Sequence, residues 1–335
     1  VEVTGDISLS GTKAILKRDN SFDQYLLKVN AGSETSLSNI VIDGGSQDGT
    51  TASQSLIYCE GTLKILDGTI LKNNTCNHSG GAIYCKDGTI NMLGGEIQNN
   101  QAKLGAGIFI NKGTLQMSSG SVVQNKSSLY GGGVCSLNAT FELTGGAIDS
   151  NASDDAGGGI FSHQTTLKLM GVSINNNTSG DSGGGIYSNK STLQMSGGKI
   201  SGNEAGVTGG GIFITGGIEN RIDGGTITDN TSNGFWGGGG IYVEKDTTLY
   251  LSRALITGNT VNGMLIGAGD HPASQQGGGL CNCPSGHTTM YITNGLALFA
   301  NSASDKGEYK GCGDDFVSVS KRWSNEIIVT PATIT

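Results

Sequence analysis

The chain has 335 residues with 58 glycines and only 3 prolines, so it is neither collagen-like nor a proline-rich linker. A net charge of −8, with no cluster of lysine or arginine, excludes the basic stripe that nucleic acid requires. With 14% charged and 35% hydrophobic residues it lacks the signature of disorder, and no apolar run reaches the roughly 18 residues of a membrane-spanning helix, so no membrane insertion is expected.

The chain begins at Val1 without a signal sequence and so reads as a mature fragment or an excised domain. Residues 1–55 form an N-terminal cap region. Val1–Thr4, Ile7–Leu9 and Tyr25–Val29 alternate as strands do, and Ser38–Gly44 reads as a strand closing on a glycine turn. From Leu56-Ile57-Tyr58-Cys59 onward the sequence repeats, because Ala82-Ile83-Tyr84-Cys85 follows 26 residues later. The aliphatic residue of the Gly-Gly-Gly-Ile-Tyr cluster then steps 108, 134, 160, 186, 212, again 26 residues each time. Asn100, Asn125, Asn151, Asn177, Asn203 and Asn230 run in phase, each three residues after an aliphatic residue. A period this regular sets the architecture before any other argument.

Each unit holds three strand patterns. The first is Thr-Leu-x-Leu/Met, as at Leu115/Met117 and Leu167/Leu169, with alternate residues on one face. A glycine turn follows, then the aliphatic-x-x-Asn strand, a variable loop, and the glycine cluster with its aliphatic-aromatic strand. These strands are too short for helices, and stacking unit on unit pairs each with its equivalent. The expectation is an all-β chain: one right-handed parallel β-helix of 26-residue, three-strand coils over residues 56–317. The Thr260–Gln276 insertion interrupts it, and residues 318–335, with Glu326–Val329 as a strand, form a C-terminal cap, all within a single domain 1–335.

Gly80-Gly81-Ala82-Ile83, together with the aliphatic-x-x-Asn step, resembles the GGA[ILV] and FxxN repeats of chlamydial polymorphic outer-membrane proteins. The N-terminal strands, Ser38–Gly44 above all, are similar to adhesin-like β-helix modules of gut Gram-positive bacteria. The FxxN phenylalanine is Ile, Val or Leu here, and no translocator barrel is present. The resemblance implies a secreted or cell-surface location and an adhesion role, while the same fold also houses polysaccharide lyases and glycosidases.

Candidate site residues are those that break the repeat. Asp154, Asp155, Asp181 and Asp270 with His271 are the acidic and imidazole groups of the loop edge, the set a polysaccharide-active enzyme would use. Asp155 and Asp181, 26 residues apart, should be neighbours able to share a proton, flank a glycosidic bond or hold calcium; no other metal or cofactor is expected. Trp236, Phe235, Tyr187, Tyr242 and Glu204 are the candidate ligand-binding set. The rings that follow each aliphatic residue must face away from it: with the aliphatic residue inward they form an outer stripe, either a platform for sugar rings or a partner chain or one covered by neighbouring loops or a terminal segment, and the alternative is an inward-facing aromatic stack. Seven cysteines, an odd number, leave one unpaired; Cys59 and Cys85 lie one coil apart, and Cys281 and Cys283 are expected on opposite faces. The sequence thus points to a surface adhesin or glycan-binding module of a larger protein, with a host or microbial glycan or surface protein as partner. A polysaccharide hydrolase or lyase and a rigid spacer are the alternatives.

Overall fold

A computed structural model describes residues 2–3, 5–19, 21–46, 51–217, 219–234, 236–262, 277–283, 286–291, 294–303 and 315–318. Asp270, His271, Phe235 and the expected cap beyond residue 318 lie outside them. Among the described residues the protein is an all-β parallel solenoid, and no helix is long and apolar enough to cross a membrane.

All three expected ladders are present. The aliphatic-aromatic strands stack into one twelve-stranded parallel sheet running from Glu2–Val3 to Phe316–Ser318. Its register follows the 26-residue step: Ile108 pairs with Val134, Val134 with Ile160, Ile160 with Ile186 and Ile186 with Ile212. The Thr-Leu-x-Leu and aliphatic-x-x-Asn strands stack the same way; Leu115 pairs with Phe141, and Val122 with Ile148. The segment after each asparagine, expected as loop, adds a short fourth ladder of eight strands, among them Ala152–Ser153, Thr178–Ser179 and Glu204–Ala205.

The core follows from period-2 alternation. Ile160, Ile186, Leu167, Leu193, Ile148 and Ile174 are all fully buried and belong to one continuous cluster. Each removes its apolar surface from water, worth ~2–3 kcal/mol per aliphatic side chain relative to exposure.

Corners are satisfied by the asparagines. The Asn177 side-chain oxygen accepts from the backbone N–H of Asn151 at 2.9 Å and from its Nδ2 at 3.0 Å, while Asn177 Nδ2 donates to the Ile148 carbonyl at 2.9 Å. The residue before each ladder asparagine takes positive φ, as at Ser150 (55°) and Asn176 (53°), which makes the turn. The chain of bonds runs from Asn74 to Asn301. There the Asp315 carboxylate, presented from the position of a cluster glycine, accepts both the Asn301 N–H and its Nδ2 at 3.0 Å and takes the place of the next amide.

The triple glycine is a packing requirement. At the Gly157-Gly158-Gly159 cluster, Gly157 has φ +70°, and a Cβ on Gly158 would lie 2.3 Å from the Thr178 carbonyl oxygen. A Cβ on Gly159 would lie 2.6 Å from the Gly185 oxygen and 3.0 Å from Asn177 Nδ2. Glycine here lets one coil approach the next and leaves the asparagine amide its place.

Candidate functional site

The outer face of the aliphatic-aromatic sheet carries the site. Phe161 and Tyr187, Tyr187 and Phe213, and Phe213 and Tyr242 stack with ring centroids 5.2, 4.7 and 5.4 Å apart. A second run, Tyr58, Tyr84 and Phe109, stacks nearer the N-terminus at 5.6 and 5.1 Å. Ladder register sets these distances, because each ring rides on a strand paired with its neighbours. The phenylalanines are buried in clusters with neighbouring ladder residues, Tyr242 is 7% exposed, and Tyr187 is half-buried. The ladder therefore faces outward without being an open apolar stripe.

Between the two runs the ladder position is Cys135, in register with Phe109 and Phe161. Tyr130, from the end of the fourth-ladder strand Lys126–Tyr130 of the same coil, fills the gap and stacks on Phe161 at 4.5 Å. It lines the groove beside Asp155, and its hydroxyl favours the ionised form of that carboxyl.

A groove of about 780 Å³ opens above the C-terminal run. Its floor is Phe161, Tyr187, Phe213 and Tyr242. One wall is the next outward residue on the same strands, Asn189, Glu244 and Cys283. The other is the column of turn residues Asp155, Asp181, Val207 and Trp236, with Tyr130 at its end from the strand Lys126–Tyr130. Backbone bonds stack that column: Asp181 N–H donates to the Asp155 carbonyl at 2.9 Å, and Val207 N–H to that of Asp181 at 2.8 Å. Trp236 is 53% exposed, yet its segment is anchored. The Cys281 thiol donates to the Trp236 carbonyl at 3.4 Å, and the Thr208 hydroxyl to the Gly237 carbonyl at 2.8 Å.

The electrostatics are acidic. Partial burial and the charge of Asp181 raise the Asp155 carboxyl above its ordinary range, with the Tyr130 hydroxyl opposing. Burial likewise raises Glu244, against the pull of Lys245. The Tyr187 phenol is pushed up to about 12 by burial, then by Glu244 and Asp181, so it senses both walls. No lysine, arginine or histidine is among the described residues that line the groove.

Of the residues singled out from sequence, Asp155, Asp181, Trp236, Tyr187 and Tyr242 thus converge on one groove. Asp154 does not: it faces the short fourth ladder and pairs with Lys126 at 3.1 Å. Glu204 also stands on that ladder, between Thr178 and Thr231, exposed and accepting from Asn233 Nδ2. Glu244, Asn189 and Cys283 were missed as lining residues; their i+2 spacing from ladder positions was the available signal. Spacing also corrects the cysteines: two residues apart on a strand, Cys281 and Cys283 share a face and meet Tyr242 there. Cys59 and Cys85 are in register, inward and fully buried. Among the described residues no three His, Cys, Asp or Glu side chains come together as a metal site.

Residues 68–86 and 171–189 match the Chlamydia polymorphic membrane protein repeat. Each stretch runs from the aliphatic-x-x-Asn strand through the turn to the glycine cluster and its aromatic strand, and the second contains Asp181, Tyr187 and Asn189 of the groove. The chain therefore carries repeats of that kind on a parallel β-solenoid. No curated protein sequence and no solved structure matches it.

Proposed function

We propose that this chain is the ligand-binding module of a cell-surface or secreted protein, and that a host or microbial glycan occupies the aromatic groove. The observation that carries the reading is the joint presence of Trp236, 53% exposed, and three carboxylates around one groove. Sugars offer apolar C–H faces to an indole and hydroxyls to carboxylates, so this mixture of rings and acceptors suits them. The repeat match supports a surface location. The solenoid would present the groove at a distance from whatever further domains the parent protein has. A glycan panel with Trp236→Ala tests the reading: binding that falls at least tenfold in the variant supports it. A chain that binds no glycan on the panel, with every groove variant inert, leaves the spacer role.

The pair Asp155 and Asp181 favours one second reading, a polysaccharide-cleaving enzyme. A carboxyl whose ionisation is disfavoured by partial burial and by a nearby carboxylate is suited to general-acid work. Release of reducing ends or unsaturated products from a polysaccharide panel, abolished in Asp155→Asn and Asp181→Asn, would establish it; unchanged release in both would remove these residues from the chemistry.

A further inference from the structure

We infer that the groove takes a linear glycan whose sugars carry free amino groups, laid along the rod with consecutive sugars on consecutive coils. The inference rests on the glycan reading above and names its ligand class.

Three features of the groove lead to it. The first is charge. Asp155 and Asp181 stand on one wall and Glu244 on the other, with no cationic side chain among the described lining residues. A neutral sugar covers Asp155 and Asp181 without supplying counter-charge, and Glu244 has only the neighbouring Lys245, whereas a protonated amine supplies it. The second is spacing. Asp155 and Asp181 occupy successive coils, as do Phe161, Tyr187, Phe213 and Tyr242. Coils repeat at about 4.8 Å, close to the advance of one equatorially linked pyranose, so a straight chain of such sugars keeps step with the coils, and because each sugar is turned about half a revolution from the last, its amines face the two acidic walls alternately. The third is the absence of main-chain recognition. The strands under the groove are paired on both sides by their neighbours, as Ile186–Asn189 is by Ile160–His163 and Ile212–Thr215. An extended peptide has no edge to join here. What the groove offers is side chains: carboxylates, the hydroxyls of Ser182, Thr208 and Tyr130, and ring edges.

The test is calorimetric titration of the full chain with hexamers of β-1,4-linked glucosamine, N-acetylglucosamine and glucose, at low and high salt. The glucosamine hexamer is expected to bind at least tenfold tighter than either neutral hexamer, and to lose that advantage in Asp155→Asn/Asp181→Asn. Glu142→Gln, on a different face and paired with Lys168 at 3.0 Å, is the control and should bind like the parent. Circular dichroism and melting establish that each variant folds. Equal affinity for the three hexamers overturns the amine requirement while leaving a glycan groove. So does binding of some other glycan alone. Glucosamine binding that survives the double substitution, or falls equally with Glu142→Gln, overturns the site and reduces the effect to bulk charge. Failure of every glycan removes the underlying reading as well.

Discussion

Tyr130 stacks on Phe161 with ring centroids 4.5 Å apart, in the ladder gap left by Cys135, and the same side chain stands beside Asp155 in the groove and favours its ionised form. One residue therefore completes the aromatic floor and steadies the acidic wall.

That link makes the titration of Asp155 predictable in sign. The Tyr130 hydroxyl favours the ionised carboxylate and Asp181 disfavours it. Tyr130→Phe should raise the Asp155 pKa further, and Asp181→Asn should lower it toward the ordinary 3.8. Carboxyl-carbon NMR titration reads both, and a shift of the same sign in the two variants would contradict the arrangement. Because the fold raises this pKa, the folded chain holds the proton longer than the unfolded one. The group's contribution to stability is full below the unfolded pKa and is lost as pH rises through the folded value. Asp155→Asn should accordingly relieve a destabilisation seen near neutrality and absent in strong acid.

The asparagine ladder predicts an outsized cost for one amide. Asn177→Ala removes the acceptor of the Asn151 N–H, one of the two bonds of the Asn151 Nδ2, which keeps the Val122 carbonyl, and a donor to the Ile148 carbonyl, all buried. Chemical denaturation should show a loss of about 2–4 kcal/mol. Asn177→Asp keeps the acceptor and loses the donor, and should fall between.

Glycine substitutions should divide by position. Gly158→Ala brings a Cβ to 2.3 Å from the Thr178 oxygen and 2.6 Å from the Gly184 oxygen, both backbone atoms that cannot swing aside. A cost of about 2–3 kcal/mol or more is expected. Gly5→Ala, with nothing within 4 Å, should lie within about 0.5 kcal/mol of the parent. Equal melting points for the two would refute the close-approach account.

Thiol labelling should follow burial. Cys59, Cys76, Cys85, Cys135 and Cys281 are buried, while Cys283 is half-exposed at the groove wall. Among these six, peptide mapping after brief alkylation of the native chain should find Cys283 modified first, and a bound groove ligand should slow that reaction. Earlier labelling of Cys135 or Cys281 would mean that the aromatic floor opens.

The fold was legible in the sequence because its period is visible wherever Ile, Asn and Gly recur, and each does so for a steric or hydrogen-bonding reason. The fourth ladder was not. Pairs such as Thr178–Ser179 are too short to show alternation and carry no β-branched run. The acidic turn was legible only to within one residue. Asp154 and Asp155 are adjacent, and the chain's reversal sends one to Lys126 and the other to Tyr130, which no period encodes. Tyr130 lies outside the ladder's register, so its ring-filling role emerges only from the packing around Cys135.

The equal step from Ile160 to Ile186 to Ile212 gives every coil the same joints. Unequal recombination between two coils would then delete or duplicate one whole rung and leave the remaining bonds in register. The scaffold would survive such an event unchanged, while Asp155, Asp181 or Tyr187 would be lost, doubled or set beside a different ring. Such copying errors would rewrite the groove in steps of one coil, a route by which a lineage can vary its lining without paying in stability.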